Sequence, residues 1–278
     1  MKTFFKKILA KFNFSIRRKI NNHYFKIPIL GSLGVSNLFF HELWMIDLLN
    51  KINNIGIVKF IDVGANVGQT LLMVKSVDNS IDYVGFEPNQ NCIFYLRKLI
   101  TQNLFTNVML IPVGISTKTR LEELNFYSES EVDPSASVIA DFRKKGLIKK
   151  ALVPLFNVND LNINFDGISI LKIDVEGGEL EVIESFYEII KGNNPIILIE
   201  ILPVYSPLEN PERLQRQNKI EELLKVLDYS IFRINQNKNQ FFGITKINEI
   251  GIHSNLNHCD YVVVPSTKLT KFLECLKT

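Results

Sequence analysis

The chain has 278 residues, of which 46% are hydrophobic and 22% charged, and its formal net charge is +3. This composition is typical of a folded globular protein with a complete apolar core, and it excludes a disordered chain. The three cysteines, Cys92, Cys259 and Cys275, are far apart and form no CxxC pair. Neither a disulfide framework nor a thiolate zinc site is therefore predicted, and we expect a reducing, cytoplasmic compartment.

The positive charge is concentrated at the N-terminus. Residues 1–26 contain eight lysines and arginines and no acidic residue, so the remainder of the chain is net negative. A basic block on an acidic body indicates an extension with its own partner rather than a nucleic-acid-binding face. We therefore divide the chain into an N-terminal extension, 1–35, and one folded domain, 36–278.

The first part of this extension has the pattern of an amphipathic helix. On a helical projection one arc is apolar and contains Phe4, Phe5, Ile8, Leu9 and Phe12. Lysines occupy the opposite arc, as they do in helices that lie on a membrane surface. The same apolar arc could instead pack on the body of the protein or on a second subunit. Lysines also interrupt the apolar run that a signal peptide requires, and no segment offers the ~20 apolar residues of a membrane span. We expect a cytoplasmic protein with the inner face of the membrane as one candidate partner.

Strands and helices then alternate along the chain. The strands are predicted over 57–63, 82–88, 108–115, 168–175, 195–202, 229–234 and 259–265. The helices are predicted over 39–52, 68–77, 89–103, 178–192 and 212–228. Residues 116–150 interrupt the alternation as an irregular insertion with a short helix over 141–150, and a polar connection precedes the last strand. Unbroken runs of Val, Ile and Phe indicate strands that are buried on both faces, so the pattern predicts an α/β fold with a mostly parallel sheet. The last two strands have no helix between them, which predicts a terminal hairpin.

The segment FIDVGANVGQT, 60–70, is the first candidate binding motif. It leads from a strand directly into a helix, whose unpaired N–H groups face a ligand above the sheet. Gly64 and Gly68 permit a close approach of the backbone. A dinucleotide site would require G-x-G-x-x-G, whereas this loop reads G-A-N-V-G after Asp62, and an acid at this place suits a cationic or amine-bearing ligand. A turn that only packs the strand against the helix is the alternative.

Glu87 is the second candidate anchor. It ends the next strand, 19 positions after Gly68, where a carboxylate can accept both hydroxyls of a ribose. An acid at this place can also be a simple helix cap. Together with the glycine loop, Glu87 indicates a ligand with a ribose and a cationic centre but no phosphate, and S-adenosylmethionine fits that description.

The segment LKIDVEGGE, 171–179, supplies the third cluster. Asp174 and Glu176 share one face of a strand end because side chains alternate with a period of two. Glu179 begins the next helix and could simply complement the positive helix terminus. Glu200 ends the following strand and would lie beside Asp174 if these two strands are neighbours. The cluster predicts carboxylates at the edge of the binding crevice.

In this order and spacing, FIDVGANVGQT, VGFEPNQ, LKIDVEGGELEVI and IILIEI resemble the FkbM-type family of S-adenosylmethionine-dependent methyltransferases. The similarity covers about residues 57–205, and residues 1–35 lie outside it. It implies a Rossmann-like sheet of seven strands with an antiparallel last strand and helices on both faces. It also implies methyl transfer to an oxygen, in a family whose members often modify sugars, glycolipids or polyketides.

The resemblance also implies which residues form the site. The methionine side of the cofactor would be bound by Asp62, Gly64, Ala65, Asn66, Gly68 and Gln69. The ribose would be bound at Glu87 and Pro88, and the adenine edge at Val113 and Gly114. The acceptor side would be formed by Asp174, Glu176 and Glu200. Many family members have His where this chain has Gly178, so the identity of the base stays open.

Methyl transfer to an oxygen requires removal of the proton of the acceptor hydroxyl. We expect Asp174 to be the base or to orient the hydroxyl, with help from Glu176 or Glu200. An alternative is Mg²⁺ that bridges Asp174, Glu200 and a sugar diol, since oxygen ligands suit this ion. Loops 116–150 and 235–258 are expected to shape the acceptor pocket.

Two other functions were weighed. A nicotinamide-dependent oxidoreductase shares the α/β pattern, but the missing central glycine and the terminal hairpin disfavour it. A non-catalytic, membrane-tethered relative would keep the fold without turnover, and the intact acids Asp62, Glu87 and Asp174 disfavour that. The expected function is therefore methylation of a hydroxyl on a sugar, glycan or glycolipid.

Overall fold

The computed structural model describes residues 13–31, 33–39, 42–130, 132–139, 146–208, 210–237 and 240–277. Its largest element is an eight-stranded sheet. The strands of this sheet are β3 Lys59–Val63, β4 Asp82–Phe86, β5 Val108–Ile111, β9 Ile170–Ile173, β10 Ile196–Glu200, β11 Tyr229–Asn237, β12 Gln240–Ile247 and β13 Asp260–Pro265. They lie in the order β12-β11-β13-β10-β9-β3-β4-β5. The five strands from β10 to β5 are parallel, and β13 is antiparallel to both β10 and β11. The predicted α/β class with a mostly parallel sheet is confirmed.

The sheet has one strand more than predicted. The additional strand β12 lies in the segment that the sequence analysis assigned to a polar connection, and it pairs with β11 at the edge of the sheet. Its residues are exposed or only partly buried, so it lacks the apolar run that marks the central strands. The last two predicted strands, β11 and β13, are antiparallel neighbours, but β12 lies between them in sequence, so they do not form a simple terminal hairpin.

Helices cover both faces of the sheet. They are α1 Leu43–Ile52, α2 Gln69–Val77, α3 Gln90–Asn103, α4 Glu179–Ser185, α5 Tyr187–Asn193, α6 Pro211–Val226 and α7 Ser266–Lys277. On one face of the sheet, an apolar cluster packs against α1, α2, α3 and α7 through Trp44, Leu71, Ile93 and Phe272. A second cluster joins the other face to α4, α5 and α6 through Val182, Ile190 and Ile220. The helix predicted over 178–192 is two helices that meet at Phe186.

The insertion forms a small sheet of its own. Strands β6 Gly114–Ile115, β7 Arg120–Phe126 and β8 Lys149–Phe156 pair in the order β6-β8-β7. The strand predicted over 108–115 therefore ends at Ile111 in the main sheet, and its last two residues belong to the small sheet. The helix predicted over 141–150 is wrong in its last part, because Lys149 and Lys150 begin β8. Residues 140–145 lie outside the described part of the chain.

The chain begins its described part with an antiparallel hairpin of β1 Asn13–Ile20 and β2 His23–Leu30. Ile20, Phe25, Ile27 and Ile29 bury one face of this hairpin in the first apolar cluster. The amphipathic helix predicted from Phe4 to Phe12 lies outside the described residues. No described helix has the length and hydropathy that a bilayer span requires.

Candidate active site

A cavity of about 590 Å³ opens above the carboxyl ends of β3, β4, β9 and β10. In the sheet, β3 has β4 on one side and β9 on the other, although β4 follows β3 directly along the chain and β9 comes much later. The cavity therefore lies where the strand order reverses. Ligands of open α/β sheets bind at this kind of crevice. The predicted site residues that line it are Gly64, Ala65, Asn66, Gln69, Glu87, Pro88, Gly114, Asp174, Glu176 and Glu200. Asp62, Gly68 and Val113 are not among the lining residues, although the sequence analysis placed them at the cofactor.

Gly64 brings the loop after β3 against the end of β9. Its φ is +97°, and a Cβ built on it would lie 1.8 Å from the carbonyl oxygen of Asp174. The N–H groups of Gly64 and Ala65 both donate to the carbonyl of Phe86 at 3.0 Å. Only glycine satisfies the backbone angle and the available space together. The loop is thus fixed between β4 and β9, with Ala65 and Asn66 facing the cavity.

Gly68 has a different role from Gly64. It is the N-cap of α2 with a φ of +79°. A Cβ at this position would lie 2.7 Å from Cδ2 of Leu96 and 3.0 Å from Cδ2 of Leu99. The second glycine of the motif therefore lets α2 pack closely against α3, a helix-to-helix contact that differs from the strand-to-helix packing considered for this loop.

Glu87 faces the cavity and is held by backbone N–H groups. Its Oε2 accepts from the N–H of Asn66 and its Oε1 from the N–H of Asn89, both at 2.8 Å. Burial raises the pKa of this carboxyl to about 7, although the two N–H donors oppose the rise. Each carboxylate oxygen keeps a further lone pair. The two oxygens are therefore fixed in place and can still accept a diol.

Asp62 supports the site from within the sheet. It is fully buried in β3, and its Oδ2 accepts a hydrogen bond from the hydroxyl of Tyr83. Its Oδ1 is buried without a geometrically sound partner. Burial raises the pKa of Asp62, while Lys172, Tyr83 and the Thr70 hydroxyl oppose the rise. The acid before the glycine loop therefore contributes to the charge beneath the site and does not line the cavity.

Three carboxylates meet at the other end of the cavity. One oxygen each from Glu42, Asp174 and Glu200 lies within 4.8 Å of the others. Glu200 lies beside Asp174 because β9 and β10 are parallel neighbours, as the sequence analysis expected for adjacent strands. Glu42 comes from the segment just before α1 and was not predicted. No periodicity or motif marks this residue, so only the folded chain reveals it.

Lys172 was also missed, although it lies within the quoted motif. Its Nζ donates to Oδ2 of Asp174 at 2.7 Å, and it lines the cavity while being only 5% exposed. The available signal was its spacing, since residues two apart on a strand share a face. A lysine within an apolar strand, two residues before an acid, is the pattern that could have indicated a buried ion pair.

The charges at this end are unevenly distributed. Burial would raise the pKa of Asp174, but Lys172 and a hydrogen bond with the Glu200 carboxyl hold it below its ordinary value. Burial, followed by the charge of Asp174, raises the pKa of Glu200 well above its ordinary range. Burial also raises the pKa of Asp260, which lies opposite Glu200 in β13, to about 8. The surroundings therefore favour the ionised form of Asp174 and the protonated form of Glu200.

Glu176 and Glu179 differ in position. Glu176 lines the cavity with a φ of +54°, and its carbonyl accepts a hydrogen bond from the Ser137 hydroxyl at 2.6 Å. Glu179 does not line the cavity. Its carboxylate accepts from the N–H of Gly177 at 2.7 Å at the start of α4, in agreement with the helix-terminus alternative.

The insertion forms one wall of the same cavity. Apolar residues make up most of this wall, with Ser130 and Asp133 as its polar members, and the residues are Ile115, Leu124, Ser130, Val132, Asp133, Pro134, Ala136, Val138 and Leu155. The Ser137 bond to Glu176 ties this wall to the end of β9. No described residue of 235–258 lines the cavity, so the expected contribution of that segment is not found among them.

The open, mostly parallel sheet and the cavity at the reversal of its strand order define the class of Rossmann-like α/β proteins. The particular family follows from a comparison with family models. The model described as Methyltransferase FkbM domain matches residues 62–263. The chain therefore belongs to the FkbM methyltransferase family and is an S-adenosylmethionine-dependent methyltransferase.

Solved structures match the chain at low sequence identity. The methyltransferase FkbM from Methylobacillus flagellatus KT has a TM-score of 0.46 and 15% identity over 74% of this chain. The match covers 43% of that protein, so the chain spans less than half of its length. Precorrin-6y C5,15-methyltransferase from Geobacter metallireducens GS-15 has a TM-score of 0.39 and 12% identity, and the match covers 80% of this chain and 86% of that one. The SAH-bound methyltransferase PaMTH1 from Podospora anserina has a TM-score of 0.42 and 10% identity, with 81% of this chain and 76% of that one covered. Comparison with curated proteins found no match.

Proposed function

We propose that this protein transfers a methyl group from S-adenosylmethionine to a hydroxyl of a sugar, glycan or glycolipid, with Asp174 as the base. The observation that carries the proposal is the position of Asp174 in the cavity. It lies at the end opposite Gly114 and Pro88, and its side chain is 26% exposed. An acceptor hydroxyl at this end would meet the Asp174 carboxylate together with the Lys172 ammonium that pairs with it.

The cofactor fits the other part of the cavity. Glu87 offers two fixed oxygens for a ribose diol. Gly114 lines the cavity and packs closely against Leu155, since an added Cβ would lie 2.5 Å from Cδ2 of Leu155. The apolar wall of the insertion suits a flat base. Asp62, Glu87 and Asp174 make the surroundings acidic, which favours a ligand that carries positive charge.

When bound, S-adenosylmethionine supplies an electrophilic methyl group on its sulfonium. The task of the protein is to place an acceptor oxygen and to take its proton. Asp174 accepts that proton while the new O–CH₃ bond forms and the S–CH₃ bond breaks. Glu200 lies beside Asp174, and its raised pKa favours the protonated form that can donate a hydrogen bond to Asp174. The proton leaves Asp174 for solvent through the open cavity when the products leave.

A bound Mg²⁺, the alternative for the acceptor side, does not fit the observed contacts. The three carboxylates have suitable spacing, but the ammonium of Lys172 already pairs with Asp174 at 2.7 Å, and Glu200 bonds to Asp174. We therefore derive no step through a metal ion. Turnover that is abolished by EDTA and restored by Mg²⁺ would contradict this assignment.

The test of the function is a screen with tritium-labelled S-adenosylmethionine against glycan and glycolipid fractions. We expect label in an acid-stable ether of a sugar. Asp174→Asn should lower turnover by about 10²–10⁴-fold while S-adenosylhomocysteine still binds, because general-base catalysis has this magnitude. Full turnover by Asp174→Asn would exclude the base assignment. Label in a protein, in RNA or in no fraction at all would count against the acceptor class.

We further propose that the N-terminal hairpin holds the enzyme at the inner face of the membrane. Its outer face carries Arg17, Lys19, Tyr24 and Lys26, and Arg17 lies directly opposite Lys26 across the two strands. Like charges in this position destabilise a hairpin unless an anionic surface compensates for them. The segment that precedes the hairpin is basic as well, and the first acidic residue of the chain is Glu42.

Vesicle flotation tests this partner. The full chain should float with vesicles that contain phosphatidylglycerol and not with pure phosphatidylcholine vesicles, and the double change Arg17→Gln and Lys26→Gln should weaken flotation. Lys191→Gln, an exposed lysine on α5, is the matched control. Equal flotation of both variants would remove the hairpin from the binding surface. A salt-insensitive dimer in sedimentation, without flotation, would favour the self-packing alternative for the extension.

A further inference from the structure

Lys172 is a buried cation among carboxyl groups from several elements. It lies in the centre of the sheet, in register with Asp62 of β3, and its ammonium pairs with Asp174. The charged and titratable groups around this pair come from β3, β4, β9, β10, β13 and the segment before α1, and they are Glu42, Asp62, Tyr83, Asp174, Glu176, Glu200 and Asp260. Among the described residues, Lys172 is the cation that these acids share.

A buried ammonium without partners would lose its proton. Burial alone lowers the pKa of Lys172, but the charges of Asp174, Glu42 and Asp62 and the hydrogen bond to Asp174 raise it above its ordinary value. The surrounding acids therefore favour the charged form of the lysine. Its charge is fixed in position, since a buried side chain on a central strand has little freedom.

The ammonium of Lys172 lies beside a cluster of carboxylates with the spacing of a metal site. Three carboxylate oxygens within 4.8 Å of one another form an arrangement that could bind a divalent cation. Lys172 lines the cavity beside these three groups and also lines a smaller space between Glu42, Glu200 and Asp260. The positive charge of Lys172 neutralises the negative charge of Asp174. The remaining negative charge of the cluster then falls on Glu42 and Glu200, where protonation reduces it.

We propose that Lys172 is a positioning residue that takes the place of a divalent cation in this carboxylate cluster, keeping Asp174 ionised and directed at the acceptor hydroxyl. The proposal rests on the proposed function only for the identity of the base. It predicts that the methyltransferase needs no metal ion and that the acid cluster becomes a metal site when the lysine is removed. Asp174 remains the group that contacts the substrate, and Lys172 acts through it.

Calorimetry with MnCl₂ tests the first consequence without an acceptor. The parent enzyme should show no stoichiometric Mn²⁺ binding, whereas Lys172→Met should gain a site that the further change Asp174→Asn removes. Lys191→Met, at an exposed position on α5, should behave like the parent. Stoichiometric Mn²⁺ binding by the parent enzyme that Glu200→Gln abolishes would overturn the proposal. The parent measurement decides this even if Lys172→Met fails to fold.

Carbon NMR of ¹³C-aspartate-labelled enzyme tests the second consequence. The Asp174 carboxyl, assigned by its loss in Asp174→Asn, should titrate below the ordinary aspartate range in the parent. In Lys172→Met its midpoint should rise by about 1–3 pH units, as expected when an opposite charge is removed from a carboxylate. Lys172→Arg should keep a low midpoint. An unchanged midpoint in Lys172→Met would overturn the proposal.

Turnover on a labelled acceptor fraction separates this proposal from the proposed function. The acid limb of the turnover–pH profile of Lys172→Met should shift upwards by about 1–3 pH units, in step with the NMR midpoint, and S-adenosylhomocysteine should bind within about threefold of the parent. An acid limb of Lys172→Met at the same pH as that of the parent refutes the role of Lys172 and leaves the function intact. Absence of glycan methylation by the parent, with the expected NMR and Mn²⁺ results, refutes the acceptor class and leaves the role of Lys172 intact.

Discussion

Replacement of Gly64 by alanine tests how the cofactor loop is held. The new Cβ would lie 1.8 Å from the carbonyl oxygen of Asp174 and 2.9 Å from its carbonyl carbon. Ordinary contact begins at about 3.4 Å, so either the loop or the end of β9 must move. The φ of +97° adds backbone strain of about 1–3 kcal/mol for a residue with a side chain. Overpacking adds about 1–3 kcal/mol. We expect Gly64→Ala to lower the free energy of unfolding by about 2–6 kcal/mol.

Alanine substitutions at two other glycines separate the cost of backbone strain from the cost of overpacking. Gly56 has a φ of +90° with no heavy atom within 4 Å of an added Cβ, so Gly56→Ala should show the backbone cost alone. Gly178 lines the cavity with a φ of −89°, and an added Cβ would lie 3.4 Å from Cγ2 of Val175, so Gly178→Ala should be almost neutral. Urea denaturation gives the three free energies, and calorimetry gives the affinity for S-adenosylhomocysteine. A Gly64→Ala protein that is no less stable than Gly56→Ala and binds S-adenosylhomocysteine like the parent would refute the packing argument.

Three further predictions concern the cavity and its support. Since the pKa of Glu87 is raised from 4.5 to about 7, the affinity for S-adenosylhomocysteine should rise between about pH 6 and 8. The same raised pKa lowers the free energy of unfolding as the pH rises from 4.5 to about 7. Calorimetry of Glu87→Gln should show weaker, pH-independent binding, and a pH-independent affinity of the parent would contradict this prediction. Ser137→Ala removes the 2.6 Å bond to the carbonyl of Glu176, so hydrogen exchange should show faster exchange in 128–139, and unchanged exchange would mean that this bond does not hold the wall. Lys75→Met removes the three hydrogen bonds that a buried ammonium donates to the carbonyls of Asn79 and Ile81 and to Oδ1 of Asn107, and it should cost about 2–4 kcal/mol in urea denaturation. The exposed control Lys98→Met should change little, and equal effects of the two changes would refute the reasoning.

The sequence predicted the central sheet well because its strands are continuous apolar runs. The five parallel strands lie within the predicted segments, since burial on both faces leaves a clear pattern. The edge strand β12 was missed for the opposite reason, because its half-exposed residues mix polar and apolar types. The small sheet of the insertion was missed as well, since β6 has only two residues and follows β5 almost directly.

The candidate site was predicted where one motif supplied several neighbours. The glycine loop, Glu87, Asp174 and Glu200 all line one cavity, because parallel strands end at the same edge of the sheet. Glu42 could not be predicted, since the segment before α1 carries no signal that links it to β9. Asp62 was assigned to the cofactor from its place in the motif, but a central strand residue that points into the sheet meets Tyr83 and not the cavity.

Asp174 joins the two halves of the site through a single residue. Its carboxylate lines the end of the cavity that we propose for the acceptor, its N–H donates to the carbonyl of Val63 at 3.0 Å, and its carbonyl occupies the space that a side chain on Gly64 would need. A change in the loop after β3 must therefore also displace Asp174, the proposed base. Glu87 contacts the same loop through the N–H of Asn66 and is also held by the N–H of Asn89, but neither hydrogen bond involves Asp174. Gly64→Ala should consequently raise KM for S-adenosylmethionine and lower kcat together, whereas Glu87→Gln should act mainly on KM. Equal loss of kcat in both variants would show that the base is positioned independently of the loop.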